Sequence, residues 1–169
     1  MEMKNEQPVL LLLGSNLGDR LSHMDKALQR LSELVGVLQC QSAIYETAAW
    51  GKTDQPGFLN MAVILNTRLT PQQVLSSILG IEREMGRQRD VKWGERTIDI
   101  DILMYDNVTV SDPDLVIPHP EMHKRRFALV PLHEIAPDAL HPTIGKTIST
   151  LLAECPDTLS VTLLSKNRA

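Results

Sequence analysis

The chain has 169 residues, a formal net charge of -4 at pH 7, 43% hydrophobic residues and 22% charged residues. This composition excludes disordered and collagenous proteins and predicts a single globular domain over residues 1–169, with its core at about 9–165. The acidic balance argues against a general nucleic-acid or anionic-membrane binder. Two cysteines and a polar start, followed by an apolar run at 9–13 that is too short for a signal peptide, predict a soluble cytoplasmic protein.

The first half of the chain alternates strand and helix patterns. The apolar run at 9–13 predicts a buried strand, and apolar residues every three or four positions at 21–34 predict an amphipathic helix. Segments 37–47 and 58–67 contain β-branched and apolar residues without Gly or Pro, and each therefore predicts a strand.

A second helix and strand follow. Thr70 before Pro71 is a helix-start signal, and Gly86 is expected to end that helix. Residues 97–105 predict a strand, and the rest of the chain is helical in pattern, with breaks expected at Pro131 and Pro137 and a last short helix at 147–153. The element order predicts an α+β, ferredoxin-like βαββαβ sandwich with an antiparallel sheet and additional C-terminal helices.

Two aspartates stand in the strand pattern RTIDIDILMY. Because alternate strand residues share a face, Ile98, Ile100, Ile102 and Met104 are expected on one side and Asp99 with Asp101 on the other. The strand rise puts the two aspartate α-carbons roughly 6.5 Å apart, which suits carboxylates that share one or two hard cations such as Mg²⁺. A solvated strand face paired with Arg96 is the alternative interpretation.

Basic residues are concentrated in two windows on either side of this strand. GRQRDVKWGER carries Arg87, Arg89 and Arg96, which favours phosphate binding beside the aspartates over a merely solvated loop. PHPEMHKRRF carries His119, His123 and Arg125. The spacing of its two histidines is only a weak zinc signal, so phosphate contact by His119 and Arg125 is the better interpretation.

Several blocks, in order, resemble the 6-hydroxymethyl-7,8-dihydropterin pyrophosphokinase family of folate biosynthesis. These blocks are GSNLGDR, YET, DQPGFLN, GIEREMGRQR, WGERTIDIDILMYD and IPHPEMHKRRFALVPLHEIAP. The resemblance implies an ATP-dependent diphosphotransferase that moves the terminal diphosphate of ATP onto the hydroxymethyl group of the dihydropterin and releases AMP. It also implies two Mg²⁺ ions, a ferredoxin-like fold and a monomer, with ATP and the dihydropterin as partners.

The resemblance also assigns site residues by position. Asp99 and Asp101 fall on the metal-binding pair. The pterin site would comprise Thr47, Ala48, Trp50, Phe58, Asn60 and Phe127, with the two phenylalanines stacking on the ring. The ATP site would comprise Glu82, Arg87, Arg89, Trp93, Arg96, His119 and Arg125, and the catalytic set Arg87, Arg96, Asp99 and Asp101.

Two other functions fit parts of the pattern. One is a different Mg²⁺-dependent nucleotidyl or phosphoryl transferase that uses the paired aspartates on another acceptor. The other is a non-catalytic ferredoxin-like domain that binds a small anion. The aromatic pair Phe58 and Phe127 favours a planar substrate and so discriminates against the first alternative, whereas the second would tolerate the loss of both aspartates.

Overall fold

The computed structural model describes residues 5–47, 57–86 and 97–165. The strands among them are β1 (Gln7–Ser15), β2 (Gly36–Gln41), β3 (Ile44–Thr47), β4 (Phe58–Thr67), β5 (Asp99–Tyr105), β6 (Val110–Asp112), β7 (Leu115–Ile117) and β8 (Val161–Ser165). The helices are α1 (Arg20–Leu34), α2 (Pro71–Glu84), α3 (Arg126–Ile135) and α4 (Ile148–Ala153), and a 3₁₀ turn covers Met122–Lys124.

The main sheet is antiparallel in every pairing. Its strands lie in the order β5-β1-β4-β3-β8, and β2 pairs with the part of β4 that β3 leaves uncovered. Since β2 and β3 follow one another along the same side of β4, they act as one interrupted strand, and the order becomes that of a βαββαβ sandwich. The predicted ferredoxin-like fold is confirmed, with β8 added beside β3 and a separate β6–β7 ribbon.

One face of the sheet packs on α1 and α2, and we call it the helix-pair face. Alternate residues of β1, β4 and β5 meet Met24, Leu31 and Ile78 there in an aliphatic core. The start of α2 follows the sequence prediction, because Thr70 and Gln73 form a reciprocal capping box ahead of Pro71. This core fixes the orientation of the central strands, and with it the residues that project from the opposite side.

The opposite face of the sheet packs on α3 and α4, and we call it the α3 face. Leu10, Leu12 and Ala62 contact Leu129 and Leu132 of α3 in a second core. The polar residues Asn60 and Asp99 project on the same side of the sheet as this apolar core.

The strand predicted at 37–47 is divided in two by the structure. Ser42 exchanges bonds with Ala62 through its backbone N–H and its Oγ, while the backbone N–H of Ala43 donates to the Glu134 carboxylate at 3.1 and 3.2 Å. Side-chain acceptors thus replace the strand ladder at this point, and β2 ends at Gln41.

Two further expectations were wrong. Pro131 does not break the chain but lies buried inside α3, where bonds from Leu129 to Arg125 and from Ala136 to Leu132 maintain the helix on both sides of it. Met104 does not continue the row of Ile98, Ile100 and Ile102, because a register shift in the β1–β5 pairing places it in the core on the α3 face. The break at Pro137, directly after the end of α3, is confirmed.

Among the described residues, no helix combines the length and the apolar character that crossing a membrane requires.

Candidate active site

A row of polar residues crosses the sheet on the α3 face. Asp99 of β5 is opposite Gly14 of β1, Gly14 is opposite Asn60 of β4, and Asn60 is opposite Tyr45 of β3. Cross-strand partners project from the same face, so Asp99, Asn60 and Tyr45 all lie on the α3 side. The strand pairing therefore places the Asp99 carboxylate of β5 and the Asn60 amide of β4 in a single row, although the two residues are 39 positions apart in the sequence.

The neighbouring positions add aromatic and hydroxyl groups to this row. Phe58 pairs with Thr47, two residues along each strand from the pair of Asn60 and Tyr45. Because side chains alternate between the two faces of a strand, Phe58 and Thr47 lie on the same face as Asn60. Thr47 and Asn60 are 4% and 5% exposed, and the Thr47 Oγ1 is buried without a hydrogen-bond partner in the described structure. A buried hydroxyl in this state suits a polar ligand that supplies the missing bond.

Asp99 and Asp101 are half-buried and lie on one face of β5, as predicted. Their intervening residue, Ile100, points into the core on the helix-pair face. Hard carboxylate oxygens are suitable ligands for Mg²⁺, which is commonly held by one or two carboxylates while phosphates and water supply the rest. Among the residues that the structure describes, no group of three or more His, Cys, Asp or Glu is placed to hold a metal ion.

Glu82 lies on the other side of the aspartate strand. It is 2% exposed, and its Oε2 accepts a hydrogen bond of 2.9 Å from the backbone N–H of Ile100, the residue between the two aspartates. The carboxylate thus anchors the peptide that carries Asp99 and Asp101. This geometry gives Glu82 a supporting position behind the strand.

His119 reaches the site from the segment after β7. Its backbone N–H donates to the Leu103 carbonyl at 2.9 Å, and its Nδ1 accepts from the Glu121 N–H at 3.1 Å. Burial lowers the pKa of His119, the positive charge of Arg125 lowers it further, and Glu121 and Asp99 oppose the shift. The imidazole is therefore neutral near pH 7, and its occupied Nδ1 leaves the proton on Nε2, which can donate to an anionic oxygen.

Arg125 and Phe127 lie at the start of α3. The Arg125 guanidinium carbon stands 5.7 Å from the centroid of the Phe127 ring, within cation–π range. Phe127 is half-buried against the core on the α3 face.

At the other end of the helix, Glu134 accepts a bond of 2.6 Å from the Tyr45 hydroxyl, and burial together with this carboxylate raises the pKa of Tyr45 to about 12. Helix α3 is thereby tied to the row at β3.

A cavity of about 450 Å³ lies beside the site and shares His119 with it. Its walls are the β6–β7 ribbon, the cis Ile117–Pro118 peptide and the side chains of His123 and His141. The two histidine rings meet edge to face with centroids 6.3 Å apart. Burial lowers the pKa of His141, and His123 lowers it further.

Not every predicted site residue falls in the described part of the chain. Ala48, Trp50, Arg87, Arg89, Trp93 and Arg96 lie outside the described residues. Sequence reasoning missed other residues that shape the site, namely Gly14, Arg20, Tyr45, Glu46, Gly57 and Glu134. Gly14 belongs to the GSNLGDR block, which is typical of a turn, and only the strand register shows that it stands between Asp99 and Asn60.

The fold and the site define an α+β protein with paired carboxylates and a polar, aromatic-flanked row on one sheet face. The family model of 7,8-dihydro-6-hydroxymethylpterin-pyrophosphokinase matches residues 10–137. The chain belongs to this family.

Curated relatives match over most of their own length. The 2-amino-4-hydroxy-6-hydroxymethyldihydropteridine pyrophosphokinase of Methylorubrum extorquens is 46% identical over 143 residues, which cover 84% of this chain and 89% of the relative. The protein of the same name from Aquifex aeolicus is 42% identical over 146 residues, with coverage of 86% and 91%.

Solved structures support the same fold at lower identity. An HPPK-DHPS in complex with substrates superposes with a TM-score of 0.71 at 16% identity and covers 88% of this chain. The wild-type Plasmodium falciparum HPPK-DHPS with pteroate gives a TM-score of 0.71 at 19% identity and covers 91%. This chain spans 43% of each of those longer chains.

Proposed function

We propose that this protein transfers the terminal diphosphate of ATP to the hydroxymethyl group of 6-hydroxymethyl-7,8-dihydropterin, giving the dihydropterin diphosphate and AMP in folate biosynthesis. The observation that carries the proposal is the row from Asp99 through Gly14 to Asn60, which sets a carboxylate suited to a cation and an amide suited to a heterocycle on one face, one strand apart. Family membership and the names of the relatives support the reaction and both substrates.

The pterin would lie at the β3–β4 end of the row. Phe58 and Phe127 supply aromatic faces for a flat ring, and the Asn60 amide and the Thr47 hydroxyl supply directed hydrogen bonds at its rim. Such a combination favours planar, polar heterocycles over sugars and lipids, because stacking on both faces requires a flat substrate. The sequence adds Ala48 and Trp50 to this set.

ATP would lie at the β5 end of the row. Asp99 and Asp101 would hold two Mg²⁺ ions, which on binding supply charge neutralisation for the phosphates and fix their geometry. His119 is placed to donate Nε2–H to a phosphate oxygen, and Arg125 offers a fixed positive charge beside it. Glu82 keeps the aspartate strand in place, and the sequence adds Arg87, Arg89, Trp93 and Arg96 as phosphate-side residues.

The reaction then follows from positioning. The substrate hydroxyl oxygen attacks the β-phosphorus, the bond between that phosphorus and the oxygen bridging to the α-phosphate breaks, and AMP leaves with the electron pair while the hydroxyl proton is released. Arg87 and Arg96 would neutralise the charge that develops on the leaving AMP. The chain would act as a monomer in the cytoplasm.

The test is product analysis with purified protein, ATP, Mg²⁺ and 6-hydroxymethyl-7,8-dihydropterin. We expect AMP and the dihydropterin diphosphate in equal amounts, with AMP production dependent on the pterin. Formation of ADP, or of free diphosphate in place of the pterin product, would overturn the proposal. Binding of ATP without any turnover would instead favour a non-catalytic anion-binding domain.

A further inference from the structure

Arg20, the first residue of α1, contacts both chain ends that bracket residues 48–56. Its Nη1 donates to the Glu46 Oε2 at 2.5 Å and to the backbone carbonyl of Gly57 at 2.7 Å. Glu46 is the next-to-last residue of β3, and Gly57 directly precedes β4. One guanidinium nitrogen therefore joins the outgoing and the returning strand.

Helix stability does not explain an arginine at this position. A cation in the first turn of a helix faces the positive end of the helix dipole, which disfavours it. The Asp19 carboxylate at the N-cap of α1 is used to accept a hydrogen bond from the Ser22 N–H. The carboxylate that bonds Arg20 comes from β3 instead, so this contact serves the strand end rather than the helix.

Gly57 shows how closely the two strand ends approach each other. A Cβ atom on Gly57 would lie 2.8 Å from the carbonyl oxygen of Thr47 and 3.1 Å from both the Cγ and the Oε2 of Glu46. Any larger residue would push the strand ends apart. Glycine at this position and the arginine that bridges it therefore maintain the same close contact.

The contact lies on the side of the sheet opposite to the pterin residues. Strand residues alternate between faces, so Glu46 points to the helix-pair face while Thr47 and its partner Phe58 point to the α3 face. Holding Glu46 and Gly57 from behind fixes the direction in which Thr47 and Phe58 project. The aspartates of β5 are two strands away from this contact, across β1.

We infer that Arg20 and Glu46 form a positioning pair for the pterin half of the site, acting through Thr47 and Phe58 without contacting the substrate. This inference rests on the proposed placement of the pterin beside Phe58. Loss of the pair should weaken pterin binding, whereas ATP binding at the aspartate end should be little affected.

The experiment is a double-mutant cycle with Arg20→Met, Glu46→Gln and the combined variant. Dissociation constants for the dihydropterin and for a non-hydrolysable ATP analogue with Mg²⁺ would be measured by fluorescence or calorimetry. We expect each single variant to weaken pterin binding by about threefold to tenfold and the double variant to be no weaker than the worse single one, as for directly coupled residues. The constant for the ATP analogue should change less than about twofold.

The matched control is the exposed pair of Arg30 on α1 and Glu84 on α2, which bond at 2.9 and 2.8 Å between the two helices. Arg30→Met and Glu84→Gln remove a comparable ion pair and should leave both constants unchanged. Arg20→Lys keeps the charge and should restore part of the pterin affinity, which a purely structural loss would not do.

Three outcomes would overturn the inference: additive effects in the cycle, an equal loss of ATP affinity, or the same loss of pterin affinity in the control pair. Phe58→Leu separates this failure from failure of the proposed function. If Phe58→Leu weakens pterin binding and the Arg20 variants do not, only the positioning pair is wrong. If neither changes pterin binding, the placement of the pterin itself is wrong.

Discussion

Gly14 on β1 lies directly opposite Asn60 on β4, and a Cβ atom on Gly14 would stand 2.9 Å from the Asn60 Oδ1. The Asn60 amide therefore occupies the space that a side chain at position 14 would need. Gly14 is opposite Asp99 on its other side, so the same space separates the amide from the carboxylate. A glycine inside a buried strand, one residue before the end of β1, is normally unfavourable and is explained by this close approach.

Gly14→Ala should displace the Asn60 amide, because the nearest atom to the new methyl group is the end of a side chain that can rotate away. We expect the affinity for the dihydropterin to fall about tenfold, while the free energy of unfolding falls by no more than about 1–3 kcal/mol, the usual range for overpacking. Calorimetric titration and urea denaturation would measure the two quantities.

Gly80→Ala is the control for this substitution. A Cβ atom on Gly80 meets nothing within 4 Å, and the residue lies inside α2. Helix propensity then predicts a gain in stability of about 0.8–1 kcal/mol with unchanged pterin affinity. A large loss of stability in the Gly14 variant would show that the strand, and not the amide, had moved.

Asp99→Asn and Asp101→Asn keep the shape of each side chain and remove its charge. Because the proposed Mg²⁺ ligands lose negative oxygens, we expect kcat/KM to fall at least about a hundredfold in each variant, equivalent to about 2.7 kcal/mol of transition-state stabilisation. Steady-state kinetics at increasing Mg²⁺ concentration would test this. Near-normal turnover in either variant, with cooperative unfolding intact, would contradict the assignment of a metal site.

Phe58→Leu and Phe127→Leu retain much of the apolar surface but remove the aromatic face. Aromatic stacking contributes about 0.5–1.5 kcal/mol beyond area burial, so we expect each variant to weaken pterin binding by about twofold to tenfold. The KM for ATP should stay close to its original value. An increase confined to the KM for ATP would place these rings on the nucleotide instead.

Glu82 supports the aspartate strand from the core. Glu82→Leu removes the acceptor for the Ile100 N–H and leaves a buried donor unsatisfied, which costs about 1–3 kcal/mol of stability. Glu82→Gln retains an acceptor oxygen and should recover most of that stability. Thermal or urea unfolding of both variants would measure the difference, and equal loss in the two would exclude this hydrogen bond as the cause.

The lowered pKa of His141 predicts the direction of a pH effect on stability. The unfolded chain takes up a proton near the ordinary pKa of His, about 6.5, before the folded protein does. The contribution of His141 is therefore fully present above pH 6.5 and is lost as the pH falls below it toward the folded-state pKa. We expect His141→Gln to unfold with a weaker dependence on pH in this interval, measured by denaturant titrations at several pH values. An unchanged slope would contradict the prediction.

Local patterns in the sequence predicted most of the fold. The helix start at Thr70 and Pro71 and the strand over 58–67 are where apolar spacing and capping residues place them, because these signals depend on neighbours along the chain. The break at Ser42 was not predictable in this way. It depends on the Ser42 hydroxyl and on Glu134, a residue 91 positions after Ala43, and such a bond becomes visible only when α3 has packed on the sheet.

The residues of the candidate site likewise fall into those that local sequence patterns predict and those that depend on tertiary contacts. The alternation of a strand was enough to put Asp99 and Asp101 on one face, but it failed at Met104, where the pairing with β1 shifts by a residue. Gly14 and Arg20 act through contacts across strands and between a helix and a strand. The roles of this glycine and this arginine cannot be predicted until the register of β1 with β4 and the position of α1 are known.

Strand β5, which carries the aspartates, is also an outer strand of the sheet, and its outward backbone groups need partners. The Glu82 carboxylate accepts a hydrogen bond from the Ile100 N–H, and the backbone N–H of His119 donates to the Leu103 carbonyl. The groups that assemble the ATP end of the site thus also shield a strand edge on which another chain could pair. Substitutions that detach them should lower activity and promote self-association together, so aggregation in such variants would report the same structural event as the loss of turnover.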